Sequence, residues 1–374
     1  MPDHPKKQQL LELIRANPFI SQQDLATELG LSRSAVAGYI AGLIRERKLL
    51  GRAYVLPDNR PVTCVGAANL DRKLRSLAPL ALHTSNPASQ GESFGGVARN
   101  IAENLARLGT AVALLTAIGN DSSGAALLAH AESLGIDTHG ALRLPDAASG
   151  TYTAVLDADG DMVVALADMA LYDRITPGFV AARQAQLASS ALVVADLNLP
   201  LDTVEAIVAE ARRSEVALVL VAVSEPKMAR LPRNLAGVRL LILNAGELAA
   251  RLERPLDGDV ALEAAMREVQ AQGARDVVVT RGAAGVLLTT ADGAIAHLAA
   301  PAAEVVDVTG AGDAFAAAVC WSLARGDEDL LLACRRGLRL SNLTLATKET
   351  VCPRLGPDIL ADAEQPETIY MEPK

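Results

Sequence analysis

The sequence lacks the patterns that support disulfide networks, metal cages and membrane spans. Its four cysteines, Cys64, Cys320, Cys334 and Cys352, are scattered without Cys-x-x-Cys spacing, and its five histidines show no metal-ligand spacing. No run of about 18 apolar residues occurs, and no long apolar stretch opens the chain, so we expect neither a membrane span nor a secretory signal. We therefore expect a cytoplasmic protein with buried, reduced thiols.

Aromatic residues are also scarce. They make up 3% of the 374 residues, while hydrophobic residues of all kinds make up 50%, so the core must be built from Ala, Leu and Val. The net charge of −9 argues against a protein that coats nucleic acid with its whole surface. Residues 1–60 nevertheless hold nine Lys and Arg against six Asp and Glu, whereas the remainder holds 26 against 38. This asymmetry predicts a small basic domain followed by a large acidic one.

The first 57 residues show helical patterns with capping signals. Lys6 to Ala16 carries an apolar stripe at helical spacing. Ser21 begins a second helix that ends at Gly30, and Ser32 begins a third. The residues around Gly51 alternate as in a small hairpin. This order resembles the winged helix-turn-helix domains of bacterial DNA-binding regulators, and we place that domain at residues 1–57, with a linker at 58–61.

The resemblance implies DNA contacts from the third helix and the hairpin. Four residues would face the major groove and one arginine on the hairpin would meet phosphate: Ser32, Arg33, Ser34, Tyr39 and Arg52, in that order. A helical dimerisation or protein-docking module is the alternative. Because basic residues are few, tight DNA binding would need a dimer or tetramer.

Residues 62–374 alternate short apolar runs with alanine-rich helical segments. This alternation predicts an α/β domain with a parallel sheet covered on both faces. The segment from Gly150 to Asp168 departs from the pattern, since it looks like two strands around an Asp-Gly turn. We expect this hairpin to project from the sheet as a lid.

Val305 to Val319 combines a strand, a turn of small residues and an alanine-rich helix. Gly310, Ala311 and Gly312 would present backbone N–H groups where the helix dipole favours an anion. Asp313 follows directly and could accept a proton from a substrate hydroxyl while the amides stabilise a phosphoryl group. An ordinary glycine turn is the alternative explanation.

Further polar residues stand at predicted strand ends, where open α/β sheets bind ligands. Asp71 could hold a vicinal diol there, and a glycine pair would let the backbone approach a ligand. An amide and a carboxylate three residues apart could hold Mg²⁺ or its waters. Each could instead cap a helix or form a turn. These candidates are Asn69 and Asp71, Gly95, Gly96 and Asn100, Asn244 and Glu247, and Thr280 and Gly282.

Together these motifs resemble the ribokinase-like PfkB family of carbohydrate kinases, over residues 62 to 360. The matching motifs are Asn69-x-Asp71, Gly95-Gly96-x-x-x-Asn100, Asn244-x-x-Glu247 and the segment Asp307-Val-Thr309-Gly310-Ala311-Gly312-Asp313. The resemblance implies a ribokinase-like three-layer α/β/α sandwich with a small β lid. It also implies ATP and Mg²⁺ as cofactors and a small-molecule acceptor.

The family's motifs imply a role for each matching residue. Asp313 would be the catalytic base, and the amides of Gly310, Ala311 and Gly312 would bind the transferring group. The acceptor would be bound by Asn69, Asp71, Gly95, Gly96 and Asn100. The nucleotide and its Mg²⁺ would be bound by Asn244, Glu247 (through water), Thr280, Gly282 and Asn342. Asp307 and Thr309 resemble the start of a monovalent-cation loop, which would add K⁺ as a cofactor.

Two segments favour a nucleoside as the acceptor. Phe94 to Gly109 and the pattern Ser224-x-x-Lys227 are similar to those of pseudouridine kinases, which implies phosphorylation of the 5′-hydroxyl of pseudouridine or a related nucleoside. A ribokinase-like sugar kinase and a ligand-sensing transcriptional regulator with a kinase-like body are the alternatives. The family often dimerises through its lid strands, so the resemblance also implies a homo-oligomer.

Overall fold

The computed structural model describes residues 5–16, 20–46, 48–49, 60–290 and 293–360. The first two of these ranges form three helices, α1 (Pro5–Ala16), α2 (Gln22–Leu29) and α3 (Arg33–Arg45). Their apolar faces share a small core that includes Leu10, Leu25 and Val36. Both predicted caps are confirmed, because the Ser21 hydroxyl accepts from the Asp24 amide and the Ser32 hydroxyl accepts from the Ala35 amide. The predicted hairpin around Gly51, with Arg52, lies outside the described residues.

The large domain is built on an eight-stranded sheet. Its strands are β1 (Val62–Val65), β4 (Val112–Leu115), β9 (Leu192–Asp196), β10 (Leu218–Val221), β11 (Leu240–Asn244), β12 (Asp276–Thr280), β13 (Val286–Thr289) and β14 (Ile295–Leu298). They lie in the order β14-β13-β12-β11-β10-β9-β1-β4. The prediction of a wholly parallel sheet is wrong at one edge, where β12, β13 and β14 run antiparallel. Only five residues connect β12 to β13, which allows a hairpin but no crossover helix.

Helices cover both faces of this sheet and bury most of it, although the edge strand β14 is only partly buried. One face carries α4 (Val97–Arg107), α5 (Ser122–Ser133), α11 (Ala311–Ala324) and α12 (Leu330–Leu345). The other carries α6 (Pro177–Ala182), α7 (Gln184–Ala188), α8 (Leu201–Ser214), α9 (Ala245–Arg251) and α10 (Gly258–Gln270). Along β9, Val193 and Ala195 point into one core and Val194 into the other. The predicted three-layer α/β/α arrangement is therefore confirmed.

A separate four-stranded sheet forms the lid. It contains β2 (Asn69–Ser76), β3 (Ala88–Gly95), β7 (Thr151–Leu156) and β8 (Met162–Asp168), in the order β3-β2-β7-β8. The hairpin that we expected between Gly150 and Asp168 is β7 and β8. The placement of Asn69 and Asp71 at the end of a core strand is wrong. The core strand ends at Val65, and these two residues begin a lid strand whose mostly polar residues suit a partly exposed sheet.

Two smaller features complete the domain. The short strands β5 (Ala117–Gly119) and β6 (Leu142–Leu144) pair in parallel beside the main sheet, and Thr116 separates β5 from the core strand β4. All four cysteines are buried and unpaired, as expected. Among the described residues, no helix is both long and apolar enough to cross a membrane.

Candidate active site

The glycine turn before α11 has the geometry that anion binding requires. Gly310 adopts a φ of 83°, and a Cβ at this position would collide with the carbonyl oxygen of Thr350. The helix begins at Ala311, so the amides of Gly312 and Asp313 lie in the first turn, where no intrahelical acceptor exists. The Ala311 amide makes a long turn hydrogen bond of 3.3 Å to Val308. The turn therefore offers amide donors at the positive end of the helix dipole.

Asp313 stands at this turn and is held by Asn100. The Asn100 side-chain amide donates a 2.7 Å hydrogen bond to Oδ2 of Asp313, which joins the starts of α4 and α11. The first turn of α4 approaches the loop after β1 closely. Gly96 has a φ of 98°, and a Cβ there would lie 2.5 Å from the carbonyl oxygen of Ala67. Gly96 thus allows α4 to start close to this loop, and Asn100 contacts Asp313 directly.

The carboxyl group of Asp313 is tuned to neutral pH. Its pKa is raised to about 7, mainly by burial and in addition by the nearby carboxylates of Asp196 and Asp71. The hydrogen bond from Asn100 and the charge of Arg99 act in the opposite direction. A carboxylate with a pKa near the ambient pH can both accept and release a proton, which suits a general base.

Asp71 presents a second carboxylate from the lid. Its Oδ1 accepts a 2.5 Å hydrogen bond from the side-chain amide of Asn69. Gly95 lies against it, since a Cβ on Gly95 would overlap the Asp71 carboxylate. Burial raises the pKa of Asp71 to about 6, whereas Asn69, Lys73 and Arg99 favour its charged form. The structure therefore brings together the predicted acceptor residues Asn69, Asp71, Gly95, Gly96 and Asn100 beside Asp313.

Sequence reasoning missed Asp196, which organises this region. It ends β9, is almost fully buried, and accepts hydrogen bonds of 2.9, 2.9 and 2.8 Å from the amides of Ala67, Ala98 and Asn198. Burial raises its pKa, although these amides favour the charged form. The signal was present, since an aspartate closing an otherwise apolar strand needs partners for its charge.

Arg99 is also part of the wall of this site. From the sequence alone, Arg99 could be a solvated helix charge or an arginine that reaches a substrate phosphate. The guanidinium is almost fully buried, pairs with Glu103, and donates to the carbonyl of Phe94 at 2.7 Å and to Asn100 Oδ1 at 2.9 Å. It therefore braces the Asn100 side chain rather than facing solvent.

A cavity of about 600 Å³ lies on the other side of the glycine turn. It is mostly apolar, which suits the base and ribose of a nucleotide. Its lining includes the predicted nucleotide residues Thr280, Gly282 and Asn342, together with Gly312 of the turn. Asn342 donates a 3.0 Å hydrogen bond to the carbonyl of Ala302 and so fixes one wall.

Asn244 and Glu247 form a reciprocal cap at the start of α9. The Asn244 side chain accepts from the Glu247 amide at 2.8 Å, and Glu247 Oε2 accepts from the Asn244 amide at 2.7 Å. Burial raises the pKa of Glu247, and the carboxylate of Glu225 adds to this rise. Two carboxylates and an amide oxygen are hard oxygen donors, which suit Mg²⁺ with its waters and a nucleotide phosphate. The described residues contain no cluster of three or more ligands for a self-contained metal site.

Asp307 and Thr309 lie just before the glycine turn and face the lid. Thr309 donates to Oδ1 of Asp307 through its amide at 2.9 Å and its hydroxyl at 2.6 Å. The ammonium group of Lys73, on β2, donates to Oδ2 of Asp307. Partial burial would raise the pKa of Asp307, but these hydrogen bonds outweigh it and hold the pKa below its ordinary value.

In the N-terminal domain, the predicted DNA contacts divide into two groups. Arg33 and Ser34 are exposed at the start of α3. Ser32 is exposed as well, but its hydroxyl is used as the helix cap and contacts Ser34 at 3.0 Å. Tyr39 is partly buried and packs against the small core.

Comparisons with known proteins agree with this geometry. The model for the pfkB family of carbohydrate kinases matches residues 59–354, and the model for winged helix-turn-helix DNA-binding domains matches residues 3–47. The chain belongs to the pfkB family of carbohydrate kinases. It is thus an ATP-dependent phosphotransferase for a sugar or nucleoside, preceded by a winged helix-turn-helix domain.

Individual relatives show how far this pfkB kinase resembles known proteins. It is 32% identical over 323 residues to an uncharacterised sugar kinase, YeiI, of Escherichia coli, covering 86% of this chain and 88% of that one. It is 31% identical over 287 residues to the pseudouridine kinase of E. coli, and the match covers 73% of this chain and 90% of that kinase. The solved structure of a carbohydrate kinase from Agrobacterium tumefaciens superposes with a TM-score of 0.70 at 31% identity, and the match covers 81% of this chain and 96% of that one.

The raised pKa of Asp313 predicts a pH-dependent gain of stability in Asp313→Asn. The folded carboxyl titrates near pH 7 and the unfolded one near its ordinary value of 3.8, so ionisation destabilises the folded state increasingly as the pH rises between these values. We expect the variant to gain on the order of 1–3 kcal/mol relative to wild type by pH 8, and little at pH 4. Urea unfolding across this pH range measures the difference.

The matched control is Asp159→Asn in the exposed turn of the lid hairpin. Its stability relative to wild type should stay constant over the same range. A constant difference for Asp313→Asn as well would show that the carboxyl of Asp313 is not desolvated.

Proposed function

We propose that the protein transfers the γ-phosphoryl group of ATP to the primary 5′-hydroxyl of a nucleoside, with pseudouridine as the leading acceptor. The observation that carries this proposal is the position of Asp313. Its carboxylate, with a pKa of about 7, stands beside the amides of the glycine turn and within hydrogen-bond distance of Asn100. A base and an anion site therefore converge on one point.

In this mechanism the protein positions the reactants and moves one proton. Asp71 accepts hydrogen bonds from the ribose 2′- and 3′-hydroxyls, which leaves the 5′-hydroxyl directed towards Asp313. Asp313 takes the proton as the 5′-oxygen attacks the γ-phosphorus in line, while the bond from that phosphorus to the β–γ bridging oxygen breaks and ADP leaves. The amides at Gly310, Ala311 and Gly312 stabilise the charge on the transferring group. The lid strands exclude water that would otherwise be the nucleophile.

The nucleotide occupies the apolar cavity next to the turn. Thr280, Gly282 and Asn342 contact it there. Asn244 and Glu247 would hold Mg²⁺ through water, and the ion would supply positive charge that neutralises the phosphates.

The choice of pseudouridine rests on two kinds of support. The pseudouridine kinase of E. coli is 31% identical to this chain over 287 residues, although an uncharacterised sugar kinase of the same organism matches a longer stretch, 323 residues, at 32% identity. In the structure, Lys227 follows β10 and is half-buried at the edge of the sheet where Asp196 lies. Burial lowers the pKa of Lys227, while Asp173 and Asp196 favour its charged form. An ammonium group held there could donate to a carbonyl oxygen of the base.

ADP release with Mg-ATP across a panel of nucleosides and sugars tests the acceptor. We expect turnover with pseudouridine and little with ribose or fructose. Asp313→Asn should reduce turnover by about 10²–10⁴-fold, because it removes the general base while keeping the shape of the side chain.

Several outcomes would contradict parts of this account. Turnover with a sugar alone would retain the kinase and reject the nucleoside. Near-wild-type turnover of Asp313→Asn would reject the base. Binding without turnover across the panel would favour the ligand-sensing regulator.

We further propose that the N-terminal domain binds DNA through α3. Arg33 and Ser34 are exposed at its N-terminus. The small exposed residues Ala37, Gly38 and Ala41 leave its outer face without bulky side chains, so the helix can enter a major groove.

We propose that copies of the chain pair through the lid, where Val164 and Leu166 of β8 are exposed apolar residues. A homo-oligomer would present two helix-turn-helix domains and so raise the affinity for a symmetric site.

A gel-shift assay with the DNA upstream of the protein's own gene tests this function. We expect a shift that weakens with salt and a loss of at least about tenfold in affinity for Arg33→Ala. The control Lys7→Ala removes a positive charge that pairs with Glu46 within the domain, and it should change affinity less. Equal losses in the two variants would assign the effect to net charge, and no shift would favour a protein-docking role.

A further inference from the structure

The lid and the glycine turn are joined by one charged contact. Lys73 lies two residues beyond Asp71 on β2, and therefore on the same face of the lid sheet. Its ammonium group donates to Oδ2 of Asp307 and, at 3.3 Å, to the hydroxyl of Thr309. The contact spans 234 residues of sequence and connects a strand of the lid with the loop that leads into α11.

The carboxylate of Asp307 has donors on both of its oxygens. Oδ1 accepts from the amide and hydroxyl of Thr309, and Oδ2 accepts from Lys73. A monovalent cation bound by Asp307 would have to displace the ammonium group of Lys73 or lie in contact with it. Two positive charges in contact repel each other. The residues present therefore do not fit a resident K⁺ at this position.

The loop from Val306 to Gly310 needs a fixed conformation to aim the helix amides. Its backbone is held on one side, where the amides of Val306 and Asp307 donate to the carbonyl of Leu345 at 2.8 and 3.3 Å. Gly310 closes against Thr350 with a positive φ. The Asp307 side chain adds a further attachment, because its Oδ2 accepts from Lys73 on the lid.

We infer that Lys73 is a positioning residue whose ammonium group takes the place of a monovalent cation at Asp307. The tethered charge holds the loop before the glycine turn and ties its geometry to the position of the lid. Phosphoryl transfer is then independent of K⁺. The inference rests on the proposed phosphotransfer function for its kinetic consequence, but not for its binding consequence.

The binding consequence is tested without any substrate. The thermal midpoint is measured in about 100 mM KCl and in the same concentration of tetramethylammonium chloride, so that ionic strength is equal. Wild type should show the same midpoint in both salts. Lys73→Met leaves the Asp307 carboxylate without its counter-charge, so KCl should raise its midpoint relative to tetramethylammonium chloride.

The kinetic consequence is tested on the same variants with the acceptor identified from the panel. Wild-type kcat should differ by less than about twofold between the two salts, because the loop already holds its cation. Lys73→Met should lose at least about tenfold in kcat in tetramethylammonium chloride, with a smaller change in KM, and KCl should restore part of the loss.

Arg72→Met is the matched control. Arg72 is the neighbouring residue on β2, points to the other face of the lid sheet and pairs with Glu92. Removing its charge should leave both the salt comparison and kcat close to wild type.

Three results would overturn the inference. A severalfold stimulation of wild type by K⁺ would show that an exchangeable cation is still required. Full activity of Lys73→Met in tetramethylammonium chloride would show that the contact does not position the loop. Loss of activity with neither rescue nor a K⁺-dependent midpoint would assign Lys73 a structural role only. If no acceptor is turned over at all, the proposed function fails, while the melting comparison still decides the cation question.

Discussion

The buried carboxylate of Asp196 fixes the geometry on which the rest of the site depends. It binds the amides of Ala67 and Ala98 at once, and so joins the loop after β1 to the start of α4. From there Asn100 reaches Asp313 on α11, and the lid begins at Asn69. A buried carboxylate is costly unless its lone pairs are used, and three amide donors offset that cost here. The end of β9, the helices α4 and α11 and the start of the lid therefore meet around the carboxylate of Asp196.

The surroundings of Asp313 explain why the pKa of its carboxyl group lies near neutral pH. Burial is the largest cause of the raised pKa of Asp313, and the nearby carboxylates of Asp196 and Asp71 disfavour its ionisation further. Arg99 limits the rise because its buried guanidinium lies near both Asp71 and Asp313. The pKa of about 7 at Asp313 therefore comes from burial, reinforced by two neighbouring carboxylates and limited by Asn100 and Arg99, rather than from a single partner.

Local chemistry made part of this arrangement predictable. Ser21 and Ser32 each precede an apolar helical stripe, so their role as helix caps could be predicted. The small residues around Gly310 likewise predict a left-handed turn before a helix. The Asp-Gly turn between β7 and β8 is local as well. The family motifs then indicated which of these local features belong to one site.

Long-range pairing was not predictable from the same signals. Whether Asn69 ends a core strand or begins a lid strand depends on its partner β3, which lies some 20 residues away and has little apolar content. The contacts of Asp196 and of Lys73 each join segments more than 90 residues apart, and a lone charged residue in a strand does not indicate its partner. The antiparallel edge depended on loop length rather than on the strands themselves, which are as apolar as their parallel neighbours.

The central claim is that Asp313 directs a phosphoryl group to a primary hydroxyl of a bound nucleoside. Proton-coupled ³¹P NMR of the product formed from pseudouridine and Mg-ATP tests it most directly. The account predicts a phosphate monoester signal split by the two methylene protons at C5′. Free inorganic phosphate as the only product, or a signal coupled to a single ribose proton, would contradict it.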